Sequence, residues 1–395
     1  MKKVSVITNL LVASVLTASV LTANAQNPVE SVPADTVKAL TQEVAPALTF
    51  SGYVDAYYAY DFANPKSGTS PFGYGGSPAN TRPGWLYNHN KVNEFNINLA
   101  MLRMNYAGSK VRAALSLQAG TYPQYNYAAE QGLLKNVYEA YAGFQLTEGI
   151  WLDAGIFPSH IGLESAITKD NWTLTRSIIA ENTPYYLSGA KLSIQASPKL
   201  AVTLLVLNGW QNIQETSQNT NKAVGTQLQF KPSDKVLLNS STFFGNEKPD
   251  TAKQYRIHHD FYATFQLSDA FSIAALFDIG SEEKADGDGR NWYYYPGLIA
   301  RLKASDKVAF VARGEHYNDQ DGVFIAVTDG SGSSTADGFQ VSSGSLGIEY
   351  LPAANCSFRV EGRSFYSKGR GVFVDENGNS TRNNTVITTS LSVSF

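Results

Sequence analysis

Few residues in this chain are spaced for catalysis. Five histidines occur, His89, His160, His258, His259 and His316, and none belongs to the H-E-x-x-H pattern that places two zinc ligands on one helical face. The run "DGDGRN" at 286–291 begins like a calcium loop. The twelfth position, where such a loop needs a bidentate Glu, is Gly297, so it is not an EF-hand. "GSGSS" at 330–334 lacks the Lys and the following helix of a phosphate-binding loop. Ser159 and His160 are adjacent, but a nucleophile and its base must be paired in space rather than in sequence. The single cysteine, Cys356, allows neither an internal disulfide nor a Cys-based metal site. No cofactor is implied, and the reading is that the protein is not an enzyme.

Another set of charged residues is spaced for a different chemistry. Arg256, His258 and Asp260 alternate with Ile257 and Phe261, while Arg313 and Glu315 follow the apolar positions Val308, Phe310 and Ala312. Arg359, Glu361 and Arg363 alternate with Phe358 and Val360, Arg301 lies between Ala300 and Leu302, and Asp153 and Asp55 fall in similar patterns. Charges at every second position, opposite apolar ones, are what a strand presents when one face meets lipid and the other water. These eleven residues are therefore expected to line the interior of a channel, where they orient water and solute or form cross-strand ion pairs that stiffen the wall.

The elements that must position them show the same period of two. "KPSDKV" (231–236), "KASDKV" (303–308), "QLSDAF" (266–271) and "QASPKL" (195–200) each separate two alternating stretches. Ser, Asp and Pro favour tight turns, so each motif reads as a hairpin tip. Sixteen strands are expected, at 47–61, 93–107, 110–121, 135–147, 150–158, 184–196, 199–208, 221–231, 235–246, 255–267, 270–281, 291–303, 306–318, 339–351, 355–367 and 382–395. Short turns alternate with long loops, the latter including 62–92, 159–183, 318–338 and 368–381. An even strand number with this asymmetry predicts an all-β, antiparallel, up-and-down transmembrane barrel with both termini periplasmic. Closure is required because lipid cannot satisfy an open sheet edge.

The bulk properties agree. Hydrophobic content is 43 %, mean hydropathy is −0.20 and net charge is −3. Beyond residue 25 no span is apolar enough for a transmembrane helix, and no basic excess points to nucleic acid. The beginning, "MKK", an apolar core and "ANA" (23–25), reads as a signal peptide over 1–25. Residues 26–46 read as a periplasmic lead-in and 47–395 as the barrel. Phe395 ends a strand with apolar residues at every second position, the pattern taken as the signal for the barrel-assembly machinery. Outer-membrane lipid is the expected surroundings.

"SGYVDAYYAYDF" in the first strand, "AGIFPSHIGLES" (154–165) and "NGW" (208–210) resemble the OmpL-like β-barrel porins of Gram-negative outer membranes, over roughly 47–395. The resemblance implies location in the outer membrane and passive transport of small hydrophilic solutes more firmly than any particular substrate. An outer-membrane hydrolase and a surface adhesin working through its long loops are the alternatives.

Sixteen strands about 4.8 Å apart and tilted about 40° enclose a backbone radius of about 16 Å, so loops must narrow the lumen. The loop 159–183 carries Trp172, Ile178 and Ile179, which are costly to leave in water. Folded inward, it would bring Glu164, Lys169, Asp170, Arg176 and Glu181 to a constriction. A helix is expected after Asn171, a residue suited to an N-cap. Tyr57, Tyr58, Tyr60, Trp292, Tyr293, Tyr294, Tyr295, Phe365, Tyr366 and Phe395 read as interface girdles, with a carbohydrate-stacking path as the alternative.

Overall fold

The computed structural model describes residues 47–64, 80–327 and 338–395. The expected signal peptide, the lead-in and the "GSGSS" run lie outside them. The strands are β1 (Ala47–Asp61), β2 (Phe95–Ala107), β3 (Val111–Ala119), β4 (Val137–Thr147), β5 (Ile150–Pro158) and β6 (Tyr186–Ser197). They continue as β7 (Leu200–Leu207), β8 (Ala223–Ser233), β9 (Val236–Asn246), β10 (Tyr255–Gln266), β11 (Phe271–Glu283) and β12 (Arg290–Lys303). The last are β13 (Val308–Asp319), β14 (Phe339–Ala353), β15 (Cys356–Ser367), the short pair β16 (Phe373–Val374) and β17 (Ser380–Thr381), and β18 (Asn383–Ser394). All but β16 and β17 join one closed barrel of 16 strands, in which each pairs antiparallel with its sequence neighbours and β18 closes on β1.

Seven connections of two to four residues lie at one end of the barrel, and the longer loops lie at the other. The repeated Ser motif acts through its hydroxyl. Ser268 Oγ accepts from the N–H of Phe271 at 3.0 Å, Ser305 Oγ from Val308 at 3.1 Å and Ser197 Oγ from Leu200 at 3.1 Å. A short polar side chain thereby satisfies a turn amide and fixes the hairpin register.

Alternation sorts the two faces. Leu48, Phe50, Leu102, Leu117, Leu228, Phe261, Leu298, Leu346 and Leu391 are exposed on the outside, a continuous apolar surface that a bilayer covers. Tyr53, Asp55, Tyr57, Ala59 and Asp61 are buried on the inside of β1. The same alternation corrects the expected girdle. Tyr58, Tyr60, Trp292, Tyr294, Tyr366 and Phe395 face outward or half outward, whereas Tyr57, Tyr293, Tyr295 and Phe365 are buried in the interior. Consecutive aromatics in a strand cannot share a face, so "WYYY" divides between lipid and lumen.

The interior holds the core. Trp85 and Leu86 from the first long loop, Ile178 and Ile179 from loop 159–183, Ile325 and Phe373 pack against Tyr295, Tyr317, Phe339 and Phe365 of the wall. A second cluster gathers Tyr122, Tyr127, Ala166, Ile167 and Tyr185 against Tyr53, Leu99 and Tyr138. The long loops thus fold back into the barrel, and each fully buried Ile side chain stabilises that docking by about 1.5–3 kcal/mol.

Candidate functional site

The charged wall of β13–β15 owes its form to the small residues between its charges. Arg313 and Glu315 point inward from β13, and Glu361 and Arg363 from β15. The inward positions of β14 between them are Ser343, Ser345 and Gly347. With no bulk in the way, side chains meet across a whole strand. Arg313 Nη2 donates to Glu361 Oε1 at 2.8 Å, and Arg363 pairs with Glu315. Nearer the short turns, Glu349 of β14 accepts from Arg359 Nε at 3.0 Å and from Arg301 Nη2 at 2.8 Å.

Loop 159–183 lies on this wall. Glu361 accepts from the N–H groups of Leu174 at 2.7 Å and Thr175 at 2.9 Å, and from Thr175 Oγ1 at 2.6 Å. Glu315 accepts from the Ile178 N–H at 2.9 Å. The arginines donate to loop carbonyls: Arg313 to Thr175 at 2.8 Å, Arg363 to Arg176 at 2.7 Å and Arg359 to Thr168 at 2.8 Å. Buried charges are tolerated only when paired and hydrogen-bonded throughout, and here the loop backbone completes the shells of five of them.

The loop is also tied to itself. Arg176, fully buried, donates to the carbonyls of Ser165 at 2.6 Å, Leu174 at 2.6 Å and Ala166 at 3.0 Å. Glu164 accepts from the Ser177 N–H at 3.0 Å and lies 3.6 Å from Arg313 Nη1. The expected helix after Asn171 does not start there. Residues 174–176 give their backbone groups to the wall, so helical bonding waits until Ile178–Asn182, where Ser177 Oγ caps Ala180 at 3.2 Å. Asn171 instead accepts from the Ser165 N–H at 2.7 Å and donates to the Ser165 and Ile167 carbonyls.

Two further anchors hold the loop. On one side, Asp55 of β1 accepts from Thr168 Oγ1 at 2.5 Å and pairs with His89 Nε2 at 3.1 Å. Glu181 accepts from the N–H groups of Tyr87 at 2.9 Å and Asn88 at 3.2 Å. Burial pushes the Glu181 carboxyl above its ordinary range. On the other side, His160 Nε2 donates to the Thr242 carbonyl at 2.8 Å, and Gly225 leaves the space the ring occupies. Burial pushes this imidazole down to about 4.

The remaining predicted residues sit in two other places. Arg256 donates to Glu282 at 2.6 Å beneath the rings of Trp210 and Phe324. Beside it, His258 Nδ1 bonds the Tyr293 hydroxyl at 2.8 Å, and Asp260 accepts from Asn239 at 2.9 Å. Asp153 lies between Arg112 and Lys191. The structure therefore gathers Arg313, Glu315, Arg359, Glu361, Arg363, Glu164 and Arg176 into one buried network. Arg301 stays half-exposed, and Lys169 and Asp170 are exposed in the middle of the loop. Sequence reading missed Arg103, Arg112, Lys191, Glu139 and Glu349, although each inward arginine or lysine stands beside an outward apolar residue such as Leu102 or Val111. It also missed residues 80–92 as a second inward segment, which Trp85, Leu86 and Val92 could have indicated.

A closed barrel with an apolar exterior, a charged interior and a loop fastened inside defines a channel-forming membrane protein. The chain belongs to the family described as "Putative beta-barrel porin-2, OmpL-like", whose model matches residues 47–395. No protein of curated function matches it in sequence. Among solved structures it is similar to an anion-selective porin from Comamonas acidovorans, with TM-score 0.58 and 9 % identity over 89 % of this chain and 100 % of that one. It is also similar to the outer membrane channel DcaP of Acinetobacter baumannii, with TM-score 0.54 and 11 % identity over 90 % and 99 %. OmpT of Vibrio cholerae gives TM-score 0.54 and 8 % identity over 90 % and 99 %. At these identities the likeness is one of fold.

Proposed function

We propose that the protein is a passive diffusion channel for small hydrophilic solutes or ions, its lumen narrowed by loop 159–183. The observation that carries this is the double anchoring of the loop, at Thr168–Ile178 on the charged wall and at Thr168 on Asp55. A loop held by backbone and charge together keeps a fixed cross-section. The network of Arg313, Glu315, Arg359, Glu361 and Arg363 positions the constriction, and Lys169, Asp170 and Arg301 meet the water path. The barrel reaches the outer membrane after removal of residues 1–25. Its termini and Ser-Asp turns face the periplasm, and the barrel-assembly machinery reads the strand ending in Phe395.

Swelling of liposomes containing the purified barrel tests this reading. Small neutral sugars should enter and larger ones should be excluded, and a folded barrel that admits no solute would refute it. Surface labelling tests the orientation. An epitope within 368–381 should be labelled on intact cells and one at 233–234 should not; the reverse pattern would invert the topology.

A further inference from the structure

One row of register partners crosses four strands: Arg112 of β3 faces Gly143 of β4, which faces Asp153 of β5, which faces Lys191 of β6. A Cβ at Gly143 would collide with the Asp153 carboxylate. Glycine at 143 therefore lets that carboxylate lie flat against the wall. Arg112 reaches it with two bonds, Nε to Oδ1 at 2.7 Å and Nη2 to Oδ2 at 2.6 Å, while Lys191 Nζ stands 3.6 Å away. Arg112 also covers the Trp151 ring at 4.4 Å, and Lys191 lies over Phe157 at 4.7 Å and Tyr141 at 5.4 Å. The aromatic rings hold both cations in place and leave their outer sides to the lumen.

The same order recurs around the short-turn half of the interior. Side-chain exposure is 31 % for Arg112 and 22 % for Lys191 against 0 % for Asp153. It is 31 % for Arg103 against 1 % for Glu139, and 27 % for Arg301 against 7 % for Glu349. In each pair the carboxylate is buried and the cation meets water. Two cations share one carboxylate twice, Arg112 and Lys191 on Asp153, and Arg301 and Arg359 on Glu349. In the middle of loop 159–183, Lys169 and Asp170 are exposed neighbours of opposite charge. The order is reversed at the turn rim, where Lys303 at 40 % pairs with Asp306 at 78 %, and at the long-loop end, where Arg290 at 23 % pairs with Glu283 at 38 %.

We propose that this half of the lumen is an anion-attracting vestibule, with the Arg112–Lys191 step as its main recognition site for small anions such as chloride or short carboxylates. The proposal rests on the diffusion-channel reading and adds its solute class. Fixed charges of one sign in a cleft with low-dielectric walls concentrate counter-ions, and rings of arginine and lysine favour anions in pores. The cations need no rearrangement to meet a passing anion, because their buried carboxylates and aromatic rings already orient them.

The test is the reversal potential of the purified full chain in a planar bilayer across a KCl gradient. At low salt its sign should show chloride preferred over potassium, and the preference should shrink as salt shortens the Debye length from about 30 Å at 0.01 M to about 3 Å at 1 M. Arg112→Gln with Lys191→Gln should shift the reversal potential toward potassium, as should Arg301→Gln alone, while Asp170→Asn should shift it further toward chloride. A wild-type channel that prefers potassium or neither ion would overturn the proposal. So would an unchanged potential in the double variant with its barrel folded, as judged by heat-modifiable mobility. If the double variant does not fold, the wild type and Arg301→Gln still decide. A folded barrel without current removes the channel reading and this one with it, whereas current without chloride preference removes this one alone.

Discussion

Thr175 and Glu361 lie 186 residues apart in sequence and are joined by two hydrogen bonds, from the Thr175 N–H at 2.9 Å and from its Oγ1 at 2.6 Å. Glu361 also accepts from Leu174 and pairs with Arg313. Replacing Glu361 by Ala strands a buried guanidinium and frees the loop backbone, a loss of about 3–5 kcal/mol for breaking a buried pair. The variant should admit larger sugars into liposomes than the wild type and unfold at lower denaturant. An unchanged size cut-off would mean that the loop does not set the constriction.

His160 supplies a pH dependence of known sign. Its imidazole is held down to about 4 by burial, against about 6.5 in an unfolded chain. Its stabilising contribution is complete above pH ~6.5 and is lost as pH falls through ~4, by up to about 1.4 kcal/mol per pH unit. Urea midpoints measured between these limits should fall more steeply for the wild type than for His160→Gln. Equal slopes would show that the ring is not buried in neutral form.

Glu181 has the opposite sign. Its carboxyl is raised by burial, so its contribution is present below the unfolded carboxylate range and is lost as pH rises through the folded value. Glu181→Gln keeps an acceptor for Tyr87 and Asn88 without the buried charge. At neutral pH the variant should equal or exceed the wild type in stability, and that gap should close on acidification. A gap independent of pH would contradict the assignment.

Phe395 and Gly52 form the seam of the barrel. The Gly52 N–H donates to the Phe395 carbonyl at 2.6 Å, the Phe395 N–H donates back at 3.0 Å, and the Phe395 ring occupies the space a side chain at 52 would need. Deleting Phe395, or replacing Gly52 by Val, should lower the yield of heat-modifiable barrel in the outer membrane. Normal yield in both would show that this closure is dispensable for assembly.

The strand layout was legible because each barrel strand faces two solvents, and a period of two leaves a mark in every segment. Arg256, Arg313, Glu361 and Arg363 could be assigned inward on that basis alone. Their partners could not. Whether Glu361 meets Arg313 depends on Ser345 and Gly347 being small on the strand between, and whether it meets Thr175 depends on where a long loop returns. These contacts span 48 and 186 residues and leave no local period. Tyr293, Tyr295, Arg112 and Lys191 were within reach of the same alternation. The girdle expectation for the aromatic run rests on composition, whereas parity divides the run between the two faces.

The central claim is that this barrel conducts through a lumen whose loop stays in place. Single-channel recording of the purified wild-type protein in a planar bilayer tests it most directly. Discrete, uniform current steps that stay open at low voltage are the predicted result. Folded, inserted protein that produces no steps would contradict the account.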